Sequence, residues 1–355
     1  CAPECETAAV SADYLASIVY TSGTTGRPKG AMLSHGNLAS NSQTLAKLWG
    51  FGAADVLLHA LPIYHVHGLF VAINCVLLSG SAMLFLPRFD AAAITGLLPR
   101  TTVMMGVPTF YTRLLGEPAF DAAACENMRL FISGSAPLRE DTFDAFTKRT
   151  GHVILERYGM SEAGMITSNP LNGARVGGTV GFALPDVAVR IAGEDGAAVA
   201  PGDVGGLEFR GPNLFKGYWR APEKTTEAFC VDGFFRSGDL AAMDAEGRVT
   251  IVGRSTDLII TGGLNVYPKE VEREIDALPG VAESSVVGMP DDDFGEAVAA
   301  AVVREPGIDI TQEAILGALE GHLARFKLPR RIVFLDALPR NAMGKVQKSV
   351  LRANF

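Results

Sequence analysis

The segment from Tyr20 to Gly30, YTSGTTGRPKG, concentrates residue types that bind phosphate. Backbone amides beside glycines, hydroxyl groups and a lysine can together surround a polyphosphate. The spacing lacks the Gly-Lys-Ser/Thr of a P-loop nucleoside triphosphatase, so that class is disfavoured. Taken alone, the segment also fits a polar surface loop. Its candidate phosphate-binding residues are Thr21, Ser22, Gly23, Thr24, Thr25, Gly26 and Lys29.

Composition limits what the chain can do. Its 355 residues, 48% of them apolar, can bury a large core, and we expect two domains. A net charge of −8 argues against a nucleic-acid partner, because binding to a phosphate backbone needs an electropositive face. The five cysteines are odd in number and lack metal-ligand spacing, which predicts neither a disulfide framework nor a zinc site and favours a reducing, cytoplasmic location.

One uncharged stretch, from Leu69 to Leu86, approaches the length of a membrane span. Polar residues interrupt it, with a Ser-Gly-Ser break at 79–81 that predicts a buried helix, a turn and a buried strand instead. No signal peptide is visible, and we expect no membrane partner.

Strand-like and helix-like segments alternate from Ser17 to about Gly159, which predicts an α/β fold with a doubly wound, mostly parallel sheet. Polar, glycine-rich motifs follow the strand-like runs, so several loops should meet where ligands bind in such sheets. After about Gly181 short glycine-rich strands predict an antiparallel β subdomain. Two amphipathic helices, over 268–278 and 311–326, and two strands then predict a smaller C-terminal α+β domain. We place the large domain at 1–255 and the C-terminal domain at 256–355.

Further motifs occur in a set order along nearly the whole chain. They are SGSAPL at 133–138, ERYGMSE at 156–162, SGDL at 237–240, GRSTD at 253–257 and PRNAMGKVQK at 339–348. With the phosphate loop, this set resembles the adenylate-forming superfamily of acyl-CoA synthetases, luciferases and peptide-synthetase adenylation domains. The resemblance implies the adenylate-forming fold, ATP, Mg²⁺ and CoA as cofactors or co-substrates, and small-molecule partners only.

The resemblance also assigns roles to individual residues. Lys345, Glu162 and Thr21 would be catalytic: the lysine would bridge the attacking carboxylate and the α-phosphate, and Glu162 would be the metal ligand. A cation such as Lys345 would offset the repulsion between the two anions. Glu162 suits a metal-ligand role because a hard divalent cation prefers oxygen ligands. The remaining ATP-binding residues would be Ser135, Ala136, Pro137, Glu156, Arg157, Tyr158, Gly159, Met160, Ser161, Asp239 and Arg254, with Tyr158 packing on adenine and Asp239 binding the ribose.

The segment ITGGLNVYPKEVE at 260–272 resembles the part of acyl-CoA synthetases that lines the thiol tunnel. Gly262, Gly263 and Leu264 would line it, since glycine lets backbone approach a pantetheine arm closely. The motif does not separate CoA from the pantetheine of a carrier protein. The resemblance also implies that the C-terminal domain turns about a hinge at Thr256 between the two half-reactions.

Two further segments indicate which carboxylic acid the enzyme would activate. LPIYHVHGLF at 61–70 resembles the acid-pocket motif, which would place His65 and Val66 beside the acid; His67 could be a second pocket residue or a core histidine. GVPTFYTRLL at 106–115 closely resembles malonyl-CoA synthetases, in which an arginine here, Arg113, would pair with the distal carboxylate of malonate. Ser135 would also line this pocket, and Met160 with Val66 would restrict substituents at C2.

The sequence therefore predicts a malonyl-CoA synthetase that also accepts methylmalonate. A general short-chain or aryl acyl-CoA synthetase is the nearest alternative. A second alternative is a homologue that binds nucleotide without turnover, because the chain departs from the family pattern in two places. Only 19 residues precede Tyr20, so we expect part of the large domain to be missing. The hinge residue is Thr256, where Asp or Lys is usual in the family. The sequence makes no prediction of oligomeric state.

Overall fold

A computed structural model describes residues 8–21, 28–341 and 344–355. By its internal contacts the chain divides into two compact units. Unit 1 comprises residues 1–190, 208–237 and 243–250, and unit 2 comprises 191–207, 238–242 and 251–355. The domain boundary at Thr256 stays a prediction.

Unit 1 is built on a seven-stranded sheet that runs in the order β4-β3-β5-β6-β7-β8-β9. Pairing is parallel from β4 through β7 and antiparallel from β7 to β9. The predicted α/β class with a mostly parallel sheet is confirmed. The strands are β3 (Val56–His59), β4 (Ala82–Phe85), β5 (Val103–Gly106), β6 (Leu130–Ser133), β7 (Leu155–Met160), β8 (Gly164–Ser168) and β9 (Phe182–Ala183).

The central strands are short apolar runs because both faces of a parallel sheet are covered. Every residue of β5 and β6 is buried. Helices connect the strands, as the alternation of patterns predicted. They are α1 (His35–Leu48), α2 (Ile73–Ser79), α3 (Ala91–Leu97), α4 (Pro108–Leu115), α5 (Glu140–Thr150) and α6 (Pro222–Ala228), with a π-helix over His67–Ala72 and a 3₁₀ turn over Leu98–Arg100.

A separate antiparallel pair contains the described residues on either side of the candidate phosphate-binding segment. Strand β1 (Leu15–Thr21) pairs with β2 (Lys29–Ser34), and Thr21 lies opposite Lys29. Helix α1 follows β2 directly, because Ser34 caps it: the Ser34 hydroxyl accepts from the Asn37 amide and the Asn37 side chain accepts from the Ser34 amide. Residues on both sides of the phosphate loop are thus held by regular structure.

The stretch from Leu69 to Leu86 folds into the predicted helix, turn and strand. The predicted burial was wrong, because Leu77 and Leu78 of α2 are 72% and 53% exposed and Phe85 at the end of β4 is 47% exposed. Gly80 ends α2 in the left-handed region at φ 64°, a backbone conformation that glycine adopts without strain. Among the described residues, no helix combines the length and the apolar character that crossing a bilayer requires.

A four-stranded sheet has the order β10-β11-β12-β13 and contains the strand-like runs predicted after Gly181. Its strands are β10 (Ala188–Ala192), β11 (Val204–Arg210), β12 (Phe235–Met243) and β13 (Val249–Arg254). The residues of this sheet are divided between the two units.

The C-terminal part of unit 2 contains a sheet in the order β15-β14-β17-β16, with β18 pairing parallel to β17. Its strands are β14 (Ile259–Thr261), β15 (Leu264–Val266), β16 (Val281–Asp291), β17 (Gly295–Arg304) and β18 (Arg331–Leu335). The helices are α7 (Pro268–Asp276), α8 (Gln312–Leu319) and α9 (Lys348–Arg352), with 3₁₀ turns over Ser255–Asp257 and Arg325–Lys327.

The apolar faces of α7 and α8 pack on this sheet through residues such as Val271, Ile275 and Ile315, which confirms an α+β arrangement. One detail of the prediction was wrong. The helix expected to reach Phe326 ends at Leu319, because the backbone is already extended at Glu320, and Gly321 follows with φ +92°.

Candidate functional site

The carboxyl ends of three neighbouring parallel strands bring motifs of unit 1 together. Gly106 at the end of β5 lies opposite Ser133 at the end of β6, and Ser133 lies opposite Glu156 in β7. Ligands bind at this edge of open α/β sheets. The loops that the sequence singled out therefore begin side by side, as predicted.

The candidate phosphate loop is only partly described. Ser22, Gly23, Thr24, Thr25 and Gly26 lie outside the described residues. Thr21 and Lys29, on either side of them, are described, and they lie opposite each other at the ends of β1 and β2.

Lys29 and Glu162 both contact one tyrosine that the sequence analysis did not single out. The Lys29 Nζ lies 4.4 Å from the centroid of the Tyr218 ring, within the range of a cation–π contact. The Tyr218 hydroxyl donates to Oε1 of Glu162 over 2.9 Å, and both residues are buried. Tyr218 was missed because 56 residues separate it from Glu162 in the sequence.

Arg157, predicted as an ATP-binding residue, is a deeply buried charged group of unit 1. It is 2% exposed, and its Nε and Nη2 atoms have no hydrogen-bond partner among the described residues. Burial lowers its pKa to about 9, because the charged form loses hydration. The guanidinium is therefore still charged at neutral pH. A buried charge that lacks a counter-ion destabilises the fold unless a ligand supplies one.

Glycine makes room for this arginine. A Cβ added at Gly134 would lie 2.1 Å from the Arg157 Nη1, closer than any real contact. Next along the chain, Ser135 adopts φ +73°, an uncommon backbone conformation for a residue other than glycine. Ser135 Oγ lies 3.3 Å from Nδ1 of His67. The SGSAPL loop thus contacts both Arg157 and His67.

His67 is completely buried, and its Nε2 has no partner within the described part of the chain. Its pKa lies well below the ordinary value, first through burial and then through the positive field of Arg157. The imidazole is therefore neutral at pH 7. When the Ser135 hydroxyl donates to the His67 Nδ1, the His67 Nε2 carries the proton. This N–H is then a further donor without a partner among the described residues, in addition to those of Arg157. Of the two alternatives for His67, this geometry favours a pocket residue over a satisfied core histidine.

The other predicted acid-pocket residues have different environments. His65 is half-buried and its Nδ1 accepts from the His67 amide over 3.2 Å. Val66 is buried and Met160 is half-buried. Arg113 lies on α4 with an exposed side chain, its guanidinium carbon 5.8 Å from the Phe89 ring centroid. The structure thus buries Arg157, whereas the sequence analysis gave the acid-binding role to Arg113.

The rest of the ERYGMSE segment forms the β7–β8 hairpin. Glu156 is buried and accepts from the Gly178 amide at 3.0 Å, while Tyr158 and Ser161 are half-buried. Gly159 cannot carry a side chain, because a Cβ there would meet the Gly164 carbonyl oxygen at 2.1 Å. In the SGSAPL loop Ala136 is half-buried and Pro137 is exposed.

Predicted residues of unit 2 form a separate group. The Arg254 Nε lies 2.8 Å from Oδ1 of the buried Asp239, so these two predicted ATP-binding residues form an ion pair. Lys345 is exposed, and its backbone amide donates to the Asn341 side chain over 3.0 Å. Thr256 lies exposed in a 3₁₀ turn after β13.

Gly262 and Gly263 connect β14 to β15 with φ values of +56° and +78°, so glycine is needed for this turn. A Cβ at Gly263 would meet no atom within 4 Å, and Leu264 beside it is 49% exposed. The turn is thus open on this side, as a segment that approaches a pantetheine arm should be.

Comparison with known proteins identifies the family. The profile of the AMP-binding enzyme family matches residues 2–219, and that of the AMP-binding enzyme C-terminal domain matches residues 270–345. A probable CoA ligase of Humulus lupulus is 42% identical over 97% of this chain and 62% of its own length. A malonate–CoA ligase of Arabidopsis thaliana is 40% identical over 97% of this chain and 61% of its own length.

Among solved structures, ATP-bound MatB from Rhodopseudomonas palustris is 58% identical with a TM-score of 0.96, over 97% of this chain and 69% of that one. The likeness confirms the expected adenylate-forming fold. The chain spans about three-fifths of the length of the two curated relatives that it matches.

Proposed function

Because the chain belongs to the AMP-binding enzyme family, we propose that it is an ATP-dependent malonyl-CoA synthetase. It would convert malonate, ATP and CoA to malonyl-CoA, AMP and pyrophosphate through malonyl-adenylate, and accept methylmalonate as well. The observation that carries the proposal is the buried Arg157 guanidinium, whose Nε and Nη2 lack partners among the described residues. The similarity to a malonate–CoA ligase and to MatB supports it.

The residues of the proposed acid pocket suit a dicarboxylate substrate better than a monocarboxylate. The Arg157 guanidinium and the His67 Nε2 present donors to a ligand, which suits a carboxylate because a carboxylate is an acceptor at both oxygens. We assign the distal carboxylate of malonate to Arg157, with Arg113 as a second, outer cation. A monocarboxylic acid would leave the buried charge unpaired, so it should react poorly. Val66 and Met160 would limit bulk at C2.

In the first half-reaction the proximal carboxylate attacks the α-phosphorus of ATP and pyrophosphate leaves. Lys345 would offset the repulsion between these two anions. Tyr158 would pack on adenine, Ser161 would contact the α-phosphate, and Asp239 with Arg254 would hold the ribose. In the second half-reaction the CoA thiol attacks the malonyl carbonyl and AMP leaves, with Gly262, Gly263 and Leu264 lining the approach of the pantetheine arm.

The residues present fit a magnesium ion. Glu162 contributes a buried carboxylate, and Mg²⁺ commonly takes one or two carboxylates together with substrate phosphates and water. When bound, the ion would neutralise charge on the phosphates of ATP. Glu162 would hold it, and Tyr218 fixes one oxygen of that carboxylate by a hydrogen bond.

Two further assignments remain part of the proposal. Thr256 would be the hinge between adenylation and thioester formation; Thr256→Pro should then spare one half-reaction, and equal loss of both would contradict the assignment. A cytoplasmic location is proposed from the cysteines, of which the described Cys75, Cys125 and Cys230 are free thiols.

The test is a panel of acids: acetate, propionate, malonate, methylmalonate, succinate and benzoate. CoA-dependent consumption of ATP is measured with each, beside a Lys345→Ala control that should lose pyrophosphate release. Malonate should lead, followed by methylmalonate. If benzoate or a short monocarboxylate led, the chain would be a general acyl-CoA synthetase. ATP binding without pyrophosphate release would identify the nucleotide-binding homologue without turnover.

A further inference from the structure

Tyr218 lies between two groups of opposite charge that are assigned to the same nucleotide. Its hydroxyl donates to Glu162 Oε1 over 2.9 Å, and the face of its ring lies 4.4 Å from Lys29 Nζ. Tyr218 is only 5% exposed. One rigid side chain therefore contacts the lysine next to the phosphate loop and the carboxylate assigned to Mg²⁺.

The backbone around Tyr218 fixes this arrangement. The Trp219 amide donates to the Gly30 carbonyl over 2.7 Å, and Ala31 and Tyr218 form an antiparallel bridge, so the segment runs along β2. Three residues earlier, the Phe215 amide donates to the backbone carbonyl of Glu162 over 2.8 Å. The segment 215–219 is thus bonded both to the strand that begins at Lys29 and to Glu162.

Opposite charges attract strongly where water is excluded, and an ion pair between Lys29 and Glu162 would use both groups before ATP arrives. The tyrosine offers each of them a neutral contact instead: a π face for the ammonium group and a hydroxyl donor for the carboxylate. Its ring and hydroxyl also set a fixed separation between the two contacts.

We propose that Tyr218 is a positioning residue that holds Lys29 and Glu162 on two parts of one side chain, so that Lys29 meets the phosphates of ATP while Glu162 meets their Mg²⁺. The inference rests on two assignments: that of Glu162 to the metal, which belongs to the proposed function, and that of Lys29 to the phosphates of ATP. It predicts that the hydroxyl and the ring of Tyr218 have separable effects: the hydroxyl acts through the metal, and the ring acts through the lysine.

Equilibrium binding separates the two effects. The affinity for ATP is measured by calorimetry without acid or CoA, once with Mg²⁺ and once with a chelator. Tyr218→Phe keeps the ring and removes the hydroxyl, so it should weaken binding on the order of tenfold with Mg²⁺ and leave binding in chelator unchanged. Tyr218→Leu removes both and should weaken binding under both conditions.

Two controls make the result specific. Tyr111→Phe removes another buried hydroxyl, which donates to the Ile132 carbonyl at 2.6 Å, and it should not change ATP affinity under either condition. In Glu162→Gln, adding Tyr218→Phe should cause no further loss with Mg²⁺, because the hydroxyl acts through that carboxylate. This second comparison tests the effect of the hydroxyl even if Tyr218→Leu does not fold.

Equal weakening by Tyr218→Phe with Mg²⁺ and with chelator would show a merely structural role and overturn the inference. So would unchanged affinity under both conditions, or a parent protein that gains nothing from Mg²⁺. A different outcome separates this inference from the proposed substrate: if malonate is not activated but the Mg²⁺-specific effect of Tyr218→Phe is found, the substrate assignment fails and the inference holds.

Discussion

Two arginines of unit 1, Arg149 and Arg157, differ in how their donors are used. Arg149 donates to four backbone carbonyls at the end of α4 and in the segment after it, at distances between 2.5 and 3.3 Å: those of Leu115, Glu117, Pro118 and Phe120. Arg157 is more deeply buried, yet its Nε and Nη2 have no partner among the described residues.

The difference separates a structural arginine from one suited to a ligand. Arg149 satisfies carbonyls that would otherwise lack partners, so the fold gains from its charge. Arg157 is buried with donors unsatisfied, which costs free energy until an anion arrives. Substitutions at the two positions should therefore have opposite effects on stability and on catalysis.

The largest effect should come from Arg157→Met. Losing the buried partner of the distal carboxylate should lower kcat/KM for malonate on the order of 10³-fold. The melting temperature should not fall, because an unpaired buried charge is removed. Steady-state kinetics and thermal unfolding check the two halves. The prediction would be contradicted if Arg157→Met lost stability while its folded molecules still turned over malonate normally. Arg157 would then be a structural arginine, like Arg149.

Arg149→Met should show the reverse pattern. It leaves several carbonyls without their donor and should lower the free energy of unfolding by about 3 kcal/mol. Denaturant unfolding measures this, and kcat/KM per folded molecule should match the parent. A loss of malonate turnover at full stability would contradict the comparison.

Arg113→Ala tests the cation that the sequence analysis favoured. We expect malonate turnover to fall on the order of 10²-fold, less than for Arg157→Met, because Arg113 is exposed and solvent screens its charge. The same kinetic assay decides it. Turnover equal to that of the parent would remove Arg113 from the acid site and leave Arg157 alone in that role.

The smallest predicted effect is on stability and involves Arg129, another arginine whose donors have protein partners. Its Nε and Nη2 donate to the two carboxylate oxygens of Asp55 at 2.7 Å each. Burial alone would raise the pKa of Asp55, but hydrogen bonds from Arg129, Gly52 and Thr102 outweigh it and lower the pKa below its ordinary value of 3.8. This pair therefore stabilises the fold above about pH 4, and the stabilisation is lost as pH falls through the lowered pKa.

Asp55→Asn should consequently make the acid side of the stability–pH curve shallower and cost about 1 kcal/mol at pH 7. Urea unfolding at several pH values between 2 and 7 measures it. The exposed Asp203 provides the control, since Asp203→Asn should leave the curve unchanged. An unchanged curve in Asp55→Asn would show that the ion pair with Arg129 does not contribute.

Much of the fold could be predicted because local pattern and tertiary role agree. The all-apolar runs of β5 and β6 require cover on both faces, and that requirement implies a parallel sheet with helices around it. The Ser-Gly-Ser break at 79–81 likewise predicted the end of a helix, and α2 ends there with Gly80 in the left-handed region. The helix after Thr311 was predicted too long because its apolar period continues past Gly321, whereas the backbone leaves the helix at Glu320.

The site was less predictable, because its decisive features depend on partners distant in sequence. ERYGMSE marks Arg157 as a candidate, but only the tertiary structure shows that its guanidinium is buried with Nε and Nη2 lacking a hydrogen-bond partner in the described part of the chain. A charged pair at 156–157 after the apolar residues of a predicted strand was the available signal. Tyr218 gave no such signal, since its contacts with Lys29 and Glu162 arise from chain segments brought together by folding.

The preference for malonate over propionate tests the central claim most directly, because these acids differ in the distal carboxylate. The ratio of their kcat/KM values should be measured for the parent and for Arg157→Met in one assay of CoA-dependent AMP formation. We predict a ratio of at least about 10² for the parent, which falls to near unity in the variant. A parent without the preference, or a variant that keeps it, would contradict the assignment of Arg157 to the distal carboxylate.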